Sequence, residues 1–147
     1  MNAQVVSVNI SEKKGQRKKG IDEVLLREDF GIEGDAHASG EWRRQVSLLA
    51  LESIEKMREK GLDVNPGDFA ENITTSGIDL PSLPVGTKLT IGEEVETEVT
   101  QIGKECHNKC AIYYQAGDCV MPKEGIFVKV LRGGTVKKGD EIKVVTA

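Results

Sequence analysis

The sequence of 147 residues is poor in aromatic side chains and has no long apolar run. One Trp, two Tyr and three Phe leave Val, Ile and Leu to form most of the core. No stretch approaches the roughly 20 apolar residues of a membrane-spanning helix, and the N-terminus lacks the pattern of a signal peptide. The formal net charge of −4 disfavours a nucleic-acid-binding protein, since such domains are usually basic. We therefore expect a cytoplasmic protein that binds neither a membrane nor a nucleic acid.

Cysteine is also scarce, and its three copies lie close together in the sequence. Because there are three cysteines, Cys106, Cys110 and Cys119, they cannot all form disulfides within one chain. In the reducing cytoplasm a disulfide framework is disfavoured. The cluster therefore indicates thiol chemistry or metal binding.

Glycine, by contrast, is abundant, with 16 copies, and short segments alternate between apolar and polar residues. This pattern predicts many short strands joined by tight turns. We expect strands over residues 4–10, 21–28, 46–49, 85–92, 95–102, 126–131 and 141–145. The last four should form two hairpins, the second turning at Gly133-Gly134. A mostly antiparallel β-barrel in one domain over residues 1–147 is the predicted fold.

One segment, residues 50–60, predicts a helix. Leu51, Ile54 and Met57 fall on one face of it. Gly61 follows and is a typical residue for ending a helix. We expect this to be the one main helix, beside a few short helical turns.

A first candidate site segment runs from Gly31 to Arg44. Its glycines allow the backbone to approach a ligand closely. Asp35 and His37 can form hydrogen bonds or bind a metal, and Arg43 and Arg44 can hold a phosphate or carboxylate. The alternative is a structural loop in which Asp35 binds nearby backbone amides.

A second candidate segment surrounds Cys106. Lys104, His107 and Lys109 are its close neighbours in the sequence. Positive groups near a thiol lower its pKa and favour the thiolate. A thiolate can attack sulfur, carry a persulfide or ligate a soft metal. The alternative is an inert buried thiol, an interpretation that fits Cys110 and Cys119 better than Cys106.

Zinc binding is another interpretation of the same residues. Cys106, Cys110 and Cys119 with His107 or His37 would complete a tetrahedral set of ligands. Their spacing matches no common zinc-finger template. No phosphate-binding loop, dinucleotide-binding motif or serine hydrolase motif occurs in the sequence.

In order and spacing, several short segments closely resemble the MOSC family, the domain at the C-terminus of molybdenum cofactor sulfurases. The matching segments are Gly31 to His37, Arg44 to Leu49, Pro66 to Ile73, Gly77 to Leu80, Val85-Gly86, the Cys106 segment, Gly125 to Val130, Gly133-Gly134, and Val136 to Asp140. The resemblance implies a barrel similar to that of the pyruvate-kinase class. It also implies a role in handling molybdenum cofactor or its sulfur.

In that family a cysteine is the proposed sulfur carrier or metal ligand, and Cys106 is the matching position. Family members usually have Pro before this cysteine, whereas this chain has Glu105. Pyridoxal phosphate, where the family uses it, belongs to a separate aminotransferase-like domain. The resemblance therefore implies no pyridoxal phosphate site in this chain. It implies a cysteine desulfurase or a molybdoenzyme as protein partner.

The resulting hypothesis is a protein that binds molybdenum cofactor (molybdopterin) or its precursor, or transfers sulfur for it. Cys106 is the predicted thiolate and possible molybdenum ligand, with Cys110 and Cys119 as weaker candidates. The predicted supporting residues are Lys104 and His107 beside the thiolate, Arg43 and Arg44 at the pterin phosphate, and Asp35, His37 and Asn72 at the mouth. Residues 31–44 and 103–110 are expected to line one cleft.

Three alternatives remain open at this point. The chain can be a non-catalytic carrier or chaperone of molybdopterin, or a zinc-binding interaction module. It can also be part of a molybdenum-dependent reductase of N-hydroxylated compounds, which would require an electron-donating partner because no flavin or iron–sulfur motif is evident.

Overall fold

A computed structural model describes residues 3–10, 19–28, 30–33, 45–61, 64–66, 71–102 and 125–145. The strands are β1 (Ala3–Ile10), β2 (Lys19–Ile21), β3 (Glu23–Arg27), β4 (Gly31–Ile32), β5 (Val46–Ala50), β6 (Ile73–Ser76), β7 (Lys88–Ile91), β8 (Val95–Ile102), β9 (Ile126–Arg132), β10 (Gly134–Lys137) and β11 (Glu141–Val145). The helix α1 spans Leu51–Glu59, and a 3₁₀ turn spans Leu80–Ser82.

Seven of these strands form a closed barrel. Their order is β11-β7-β8-β9-β5-β6-β1, and pairing of β1 with β11 closes the ring. Neighbours in the ring are antiparallel except β5 and β6, which run parallel with α1 between them in sequence. The predicted fold class, a β-barrel with one main helix, is confirmed.

A smaller sheet packs beside the barrel, and it corrects one expectation. The segment after β9 was expected to turn at Gly133-Gly134 into a hairpin with residues 141–145. Instead, β10 pairs with β3 in a sheet of order β10-β3-β4, while β11 pairs with β7 and β1. Local alternation predicted β9 and β11 but not β10, and it carries no information about which distant strand each one meets.

Gly133 makes this change of sheet feasible. A Cβ atom added there would lie 2.5 Å from the carbonyl oxygen of Leu26 in β3. Only a residue without a side chain therefore allows the β9–β10 corner to approach β3 so closely.

Apolar side chains of the strands fill the barrel. Val, Ile and Leu dominate this core, as the shortage of aromatics predicts; its most buried members include Val8, Leu26, Ile32, Val46, Leu48, Ile73, Leu89, Ile91, Val99, Ile126 and Val128. No helix in the described part of the chain combines the length and apolarity needed to cross a membrane.

The helix α1 lies against β5 and β6 on the outside of the barrel. It buries Ile54 and Met57, as the apolar spacing predicts. It ends at Glu59 with Lys60 as its C-cap, and Gly61 follows with φ of +91°, the left-handed conformation that a glycine stop predicts. The first turn of the helix lies beside the end of β6, where the backbone N–H of Gly77 donates to Glu52 Oε2 at 3.1 Å.

Candidate functional site

Among the predicted site residues, only Asn72 lies within the described residues. The others lie outside them: Asp35, His37, Arg43, Arg44, Lys104, Cys106, His107, Cys110 and Cys119. Their roles, and the cleft expected between residues 31–44 and 103–110, stay predictions.

The second segment is flanked by β8 and β9, and the first segment leads into β5, which pairs with β9 in the barrel. Leu48 of β5 pairs with Ile126 of β9, and Ile126 pairs with Ile102 at the end of β8. Gln45, where the first segment joins β5, precedes Leu48 by three residues, or about 10 Å along an extended strand. Both segments therefore join one group of three adjacent strands, but at opposite ends: Gln45 lies beside Val130, whereas β8 ends at Ile102 beside Ile126.

Gln45 caps the end of the β5–β9 ladder. Its side chain is 1% exposed, and its Oε1 accepts a hydrogen bond of 2.8 Å from the backbone N–H of Val130. The last paired residues of this ladder are Val46 and Val128. The side chain thus binds a backbone amide just beyond the ladder and holds the chain in place immediately after Arg44.

Asn72 holds three strands together where β6 begins. Its Oδ1 accepts hydrogen bonds from the backbone N–H of Ser47 at 3.0 Å and from the Ser47 hydroxyl at 3.1 Å. Its Nδ2 donates to the carbonyl oxygen of Asn9 in β1 at 3.3 Å. Its own backbone N–H donates to the Ser47 carbonyl oxygen at 3.0 Å.

These contacts define what Asn72 does in the fold. The side chain is 1% exposed, and both ends of its amide bind other parts of the barrel. Its hydrogen bonds connect β1 to β5, and we call this set of contacts the Asn72 clasp. The predicted contact between Asn72 and a ligand stays a prediction.

A chain of hydrogen bonds on β1 and β6 leads to a buried carboxyl group. The hydroxyl of Ser7 donates to Asn9 Oδ1 at 2.7 Å, and Asn9 Nδ2 donates to Thr74 Oγ1 at 3.2 Å. The Thr74 hydroxyl donates to Glu71 Oε2 at 2.8 Å. Asn9 Nδ2 also lies 3.3 Å from the Glu71 carbonyl oxygen. We call Ser7, Asn9, Thr74 and Glu71 the Glu71 network.

The Glu71 network is fully directional. Each donor points along the chain toward the carboxyl group, so Glu71 Oε2 acts as an acceptor. Glu71, Asn9 and Thr74 are each 0% exposed. A buried carboxylate lowers the stability of the fold unless charged or hydrogen-bonding groups compensate it. The fold therefore depends on the side chains that bind Glu71.

Sequence reasoning missed the Glu71 network. Ser7 and Asn9 alternate with the apolar residues Val6, Val8 and Ile10 of β1, which is the usual pattern of a solvent-facing side. The strand β6 was not predicted either, so nothing in the sequence indicated that Thr74 is buried. The adjacent Glu71 and Asn72 within a family-like segment were the one available indication.

Two shallow cavities lie at the other end of β6 from Asn72, and both include Gly77 and Ile78. One, of about 300 Å³, is lined by Ala50, Glu52, Ser53, Lys56, Gly77, Ile78, Asp79, Leu80 and Pro81. The other, of about 400 Å³, is lined by Ala3, Gly77, Ile78, Glu141, Ile142, Lys143 and Val144. Neither lining includes a predicted site residue. Within the described ranges, no group of three or more His, Cys, Asp or Glu side chains is placed to hold a metal ion.

The sequence of this chain matches the family model of the MOSC domain over residues 35–143. The chain belongs to the MOSC domain family. The match covers well over half of the 147 residues and includes β5, α1, β6 to β9 and most of the C-terminal strands. MOSC domains are associated with molybdenum cofactor sulfurase-related functions and with molybdenum cofactor pathways.

Solved structures show the same fold. The YuaD protein of Bacillus subtilis superposes with a TM-score of 0.80 at 23% identity, covering 98% of this chain and 96% of that one. YiiM of Geobacillus stearothermophilus gives 0.74 at 18% identity, covering 98% and 75%. YiiM of Escherichia coli gives 0.71 at 22% identity, covering 100% and 71%. No curated protein matches the sequence. At these identities, the likeness establishes a common MOSC architecture and leaves the chemistry to be argued from the residues.

Proposed function

We propose that this MOSC protein binds molybdenum cofactor and carries sulfur for it, with the Cys106 thiolate as sulfur carrier or metal ligand. The family match over residues 35–143 carries this proposal, because it includes every predicted site residue from Asp35 through Cys119. Other reasons are the chemistry of the residues in those segments and the rigid strands to which they are attached.

The residue types fit the molybdenum cofactor. Its phosphate suits the guanidinium groups of Arg43 and Arg44, which can each bind two oxygens. Its metal and its sulfur suit the soft thiolate of Cys106. Asp35 and His37 supply polar contacts to the pterin. When bound, the cofactor would supply the redox chemistry of molybdenum.

The described structure supports this assignment at one point in particular. Gln45 is fixed by the amide of Val130, and Ser47 is fixed by Asn72. Arg43 and Arg44 therefore lie immediately before a strand that is anchored on both sides. A binding group attached to a rigid element loses less conformational freedom when its ligand binds.

The sulfur step requires a thiolate at Cys106. Lys104 and His107 are the proposed positive neighbours that favour this form. The thiolate attacks the terminal sulfur of a donor's persulfide, forming a new S–S bond as the bond to the donor's cysteine breaks. Cys106 then holds the persulfide, and the donor leaves as a thiolate. No net oxidant is consumed, because the sulfane sulfur passes from one thiol to another.

The proposed donor is a cysteine desulfurase, and the proposed acceptor is cofactor bound for a molybdoenzyme. Pyridoxal phosphate would act only in the donor, in a domain separate from this one. We place these events in the cytoplasm, where thiols remain reduced, and treat residues 1–147 as one domain.

Native purification from a molybdenum-replete host tests the proposal. We expect molybdenum with pterin in the purified protein, or one additional sulfur atom on the Cys106 peptide in mass spectrometry after incubation with a desulfurase and cysteine. The Cys106→Ser variant should lose the additional sulfur, whereas Cys110→Ser and Cys119→Ser should keep it. Stoichiometric zinc without pterin would instead identify a zinc module. Pterin binding that all three variants retain, without sulfur transfer, would identify a carrier.

A further inference from the structure

The sequence contains two acceptor motifs for N-linked glycosylation, and the fold buries the asparagine of each. The motif is Asn-x-Ser/Thr with any residue except Pro in the middle, and a usable copy lies on a surface loop. It occurs at Asn9-Ile10-Ser11 and at Asn72-Ile73-Thr74. Asn9 is 0% exposed and Asn72 is 1% exposed. Both motifs are therefore hidden once the barrel has formed.

At Asn9 the nitrogen atom that glycosylation modifies is already fully used. Transfer of a glycan joins the sugar to Nδ2 and removes one of its two protons. Asn9 Nδ2 donates to the Glu71 carbonyl oxygen at 3.3 Å and to Thr74 Oγ1 at 3.2 Å, so each proton has an acceptor. A glycan on this atom therefore breaks a hydrogen bond of the Glu71 network.

At Asn72 the amide is held on both sides. Its Oδ1 accepts from the Ser47 N–H at 3.0 Å, and its Nδ2 donates to the Asn9 carbonyl oxygen at 3.3 Å. Nδ2 cannot turn toward solvent without breaking the Asn72 clasp. The hydroxyl that completes this motif, on Thr74, is buried as well and donates to Glu71 Oε2 at 2.8 Å. The folded strand thus presents neither group to a transferase.

The barrel closes too late in synthesis to protect the two asparagines. Closure pairs Ala3 with Ile142, and β5 pairs with β9 through Val46 and Val128. The 75 residues from 73 to 147 follow Asn72. At about 5–20 residues per second they take roughly 4–15 s to synthesise. During that time both motifs exist in a chain that lacks the strands needed to complete the fold.

We propose that Asn9 and Asn72 are glycosylation acceptors in the unfolded chain only, and that a glycan on either one prevents the barrel from forming. The sugar donor is a lipid-diphosphate-linked oligosaccharide. Its bond between C1 and the phosphate oxygen breaks, C1 bonds to Nδ2, and the lipid diphosphate leaves as Nδ2 loses a proton. The fold is therefore restricted to compartments without this transferase. This inference does not depend on the proposed sulfur chemistry, so the two can fail separately.

Translation of the full chain behind a cleavable signal peptide, in the presence of endoplasmic reticulum microsomes, tests this inference. A parallel sample contains an excess of the acceptor tripeptide Asn-Tyr-Thr, which competes for the transferase and leaves the chain unmodified in the same lumen. Endoglycosidase-sensitive gel shifts and peptide mass spectrometry locate the glycans, and resistance to trypsin measures folding. We expect glycans at Asn9, Asn72 or both, and loss of the trypsin-resistant fraction among the modified chains. With the competitor, the chain should be unmodified and resistant.

A matched variant carries its glycan on the surface instead. Val85 is 61% exposed and precedes Gly86-Thr87, so Val85→Asn creates an exposed motif with one substitution. Ser11→Ala and Thr74→Val remove the two natural motifs from the same chain. We expect this triple variant to gain one glycan at position 85 and to resist trypsin equally with and without the competitor.

Two results would overturn the inference. One is a wild-type chain that carries a glycan at Asn9 or Asn72 and resists trypsin as well as the unmodified chain does. The other is a wild-type chain that stays unmodified under conditions that modify the triple variant. Should the triple variant fail to fold with the competitor present, Asn72→Asp replaces Thr74→Val, because it removes the same motif and keeps the Oδ1 acceptor for Ser47.

Discussion

Asn72 and Ser47 form a reciprocal pair across the parallel β5–β6 junction. The Asn72 Oδ1 atom accepts from both the backbone N–H and the hydroxyl of Ser47, at 3.0 and 3.1 Å, while the Asn72 N–H returns a hydrogen bond to the Ser47 carbonyl oxygen at 3.0 Å. The side chain thus extends the backbone ladder by one step beyond Leu48 and Ile73. The parallel pair, which is the exception in this barrel, begins with a side-chain clasp.

Removing this clasp should destabilise the protein. In Asn72→Ala, the Ser47 amide and the Asn9 carbonyl group lose their buried partner. We expect the free energy of unfolding to fall by about 3 kcal/mol, since each unsatisfied buried group costs about 1–3 kcal/mol. Urea unfolding measures the change. Asn65→Ala is the matched control, because the Asn65 side chain is exposed and accepts its hydrogen bond from Arg58 at 3.3 Å near the surface, and it should cost below about 0.5 kcal/mol. Equal losses in the two variants would show that the hydrogen bonds of Asn72 contribute no more to stability than an exposed contact does.

The sequence predicted individual helices and strands better than it predicted which distant strands pair with each other. The helix over 50–60 and the strands of the β7–β8 hairpin follow from residue spacing alone, because their contacts are close in sequence. The pairing of β10 with β3 joins residues about a hundred positions apart, and nothing in Thr135 or Leu25 indicates it. The strand β6 was missed because Thr74, Thr75 and Ser76 have no apolar alternation.

The polar residues of the candidate site were likewise predicted only in part. Cys106, Arg44 and their neighbours were selected because their side chains carry chemistry, and this can be recognised from residue type. Glu71 and Asn9 were not selected, since an isolated polar residue in a strand is usually solvated. Their importance comes from complete burial, which depends on the tertiary structure.

Gly133 and Gly61 should respond differently to alanine. At Gly133 the new Cβ would meet the Leu26 carbonyl oxygen at 2.5 Å, so the β9–β10 corner must move away from β3. We expect a loss of about 2–3 kcal/mol, typical of overpacking. Gly61 has φ of +91° with nothing within 4 Å of the added Cβ, so only backbone strain of about 1 kcal/mol applies. Thermal unfolding should rank the variants in this order. The reverse order would show that the corner relaxes easily.

The three thiols should differ in their rate of alkylation. We expect Cys106 to react first, because the nearby Lys104 and His107 favour its thiolate. Cys119 follows Asp118, whose negative charge disfavours thiolate, and Cys110 precedes the apolar Ala111 and Ile112. Timed labelling with iodoacetamide followed by peptide mass spectrometry measures the three rates. Faster labelling of Cys110 or Cys119, together with full sulfur transfer by Cys106→Ser, would show that Cys106 is not the carrier.

Adjacent threonines in β6 provide the most closely matched comparison. Thr74 and Thr75 are both 0% exposed. The Thr74 hydroxyl joins Asn9 to Glu71 at 3.2 and 2.8 Å. The Thr75 hydroxyl makes no hydrogen bond with the described part of the chain, and the residue pairs with Val5 and Ala50 on the wall of the barrel.

Valine in place of each threonine nearly preserves the shape of the side chain and replaces the hydroxyl by a methyl group. Thr74→Val should cost about 2 kcal/mol, because it takes a donor from the buried Glu71 carboxyl group and an acceptor from Asn9. Thr75→Val should be neutral or stabilising by up to about 1 kcal/mol, because burying an unsatisfied hydroxyl is itself unfavourable. Urea midpoints of the two variants and the wild type measure both effects in one experiment. A loss in Thr75→Val as large as that in Thr74→Val would mean that burial alone, and not the Glu71 network, determines the cost of losing a hydroxyl in this strand.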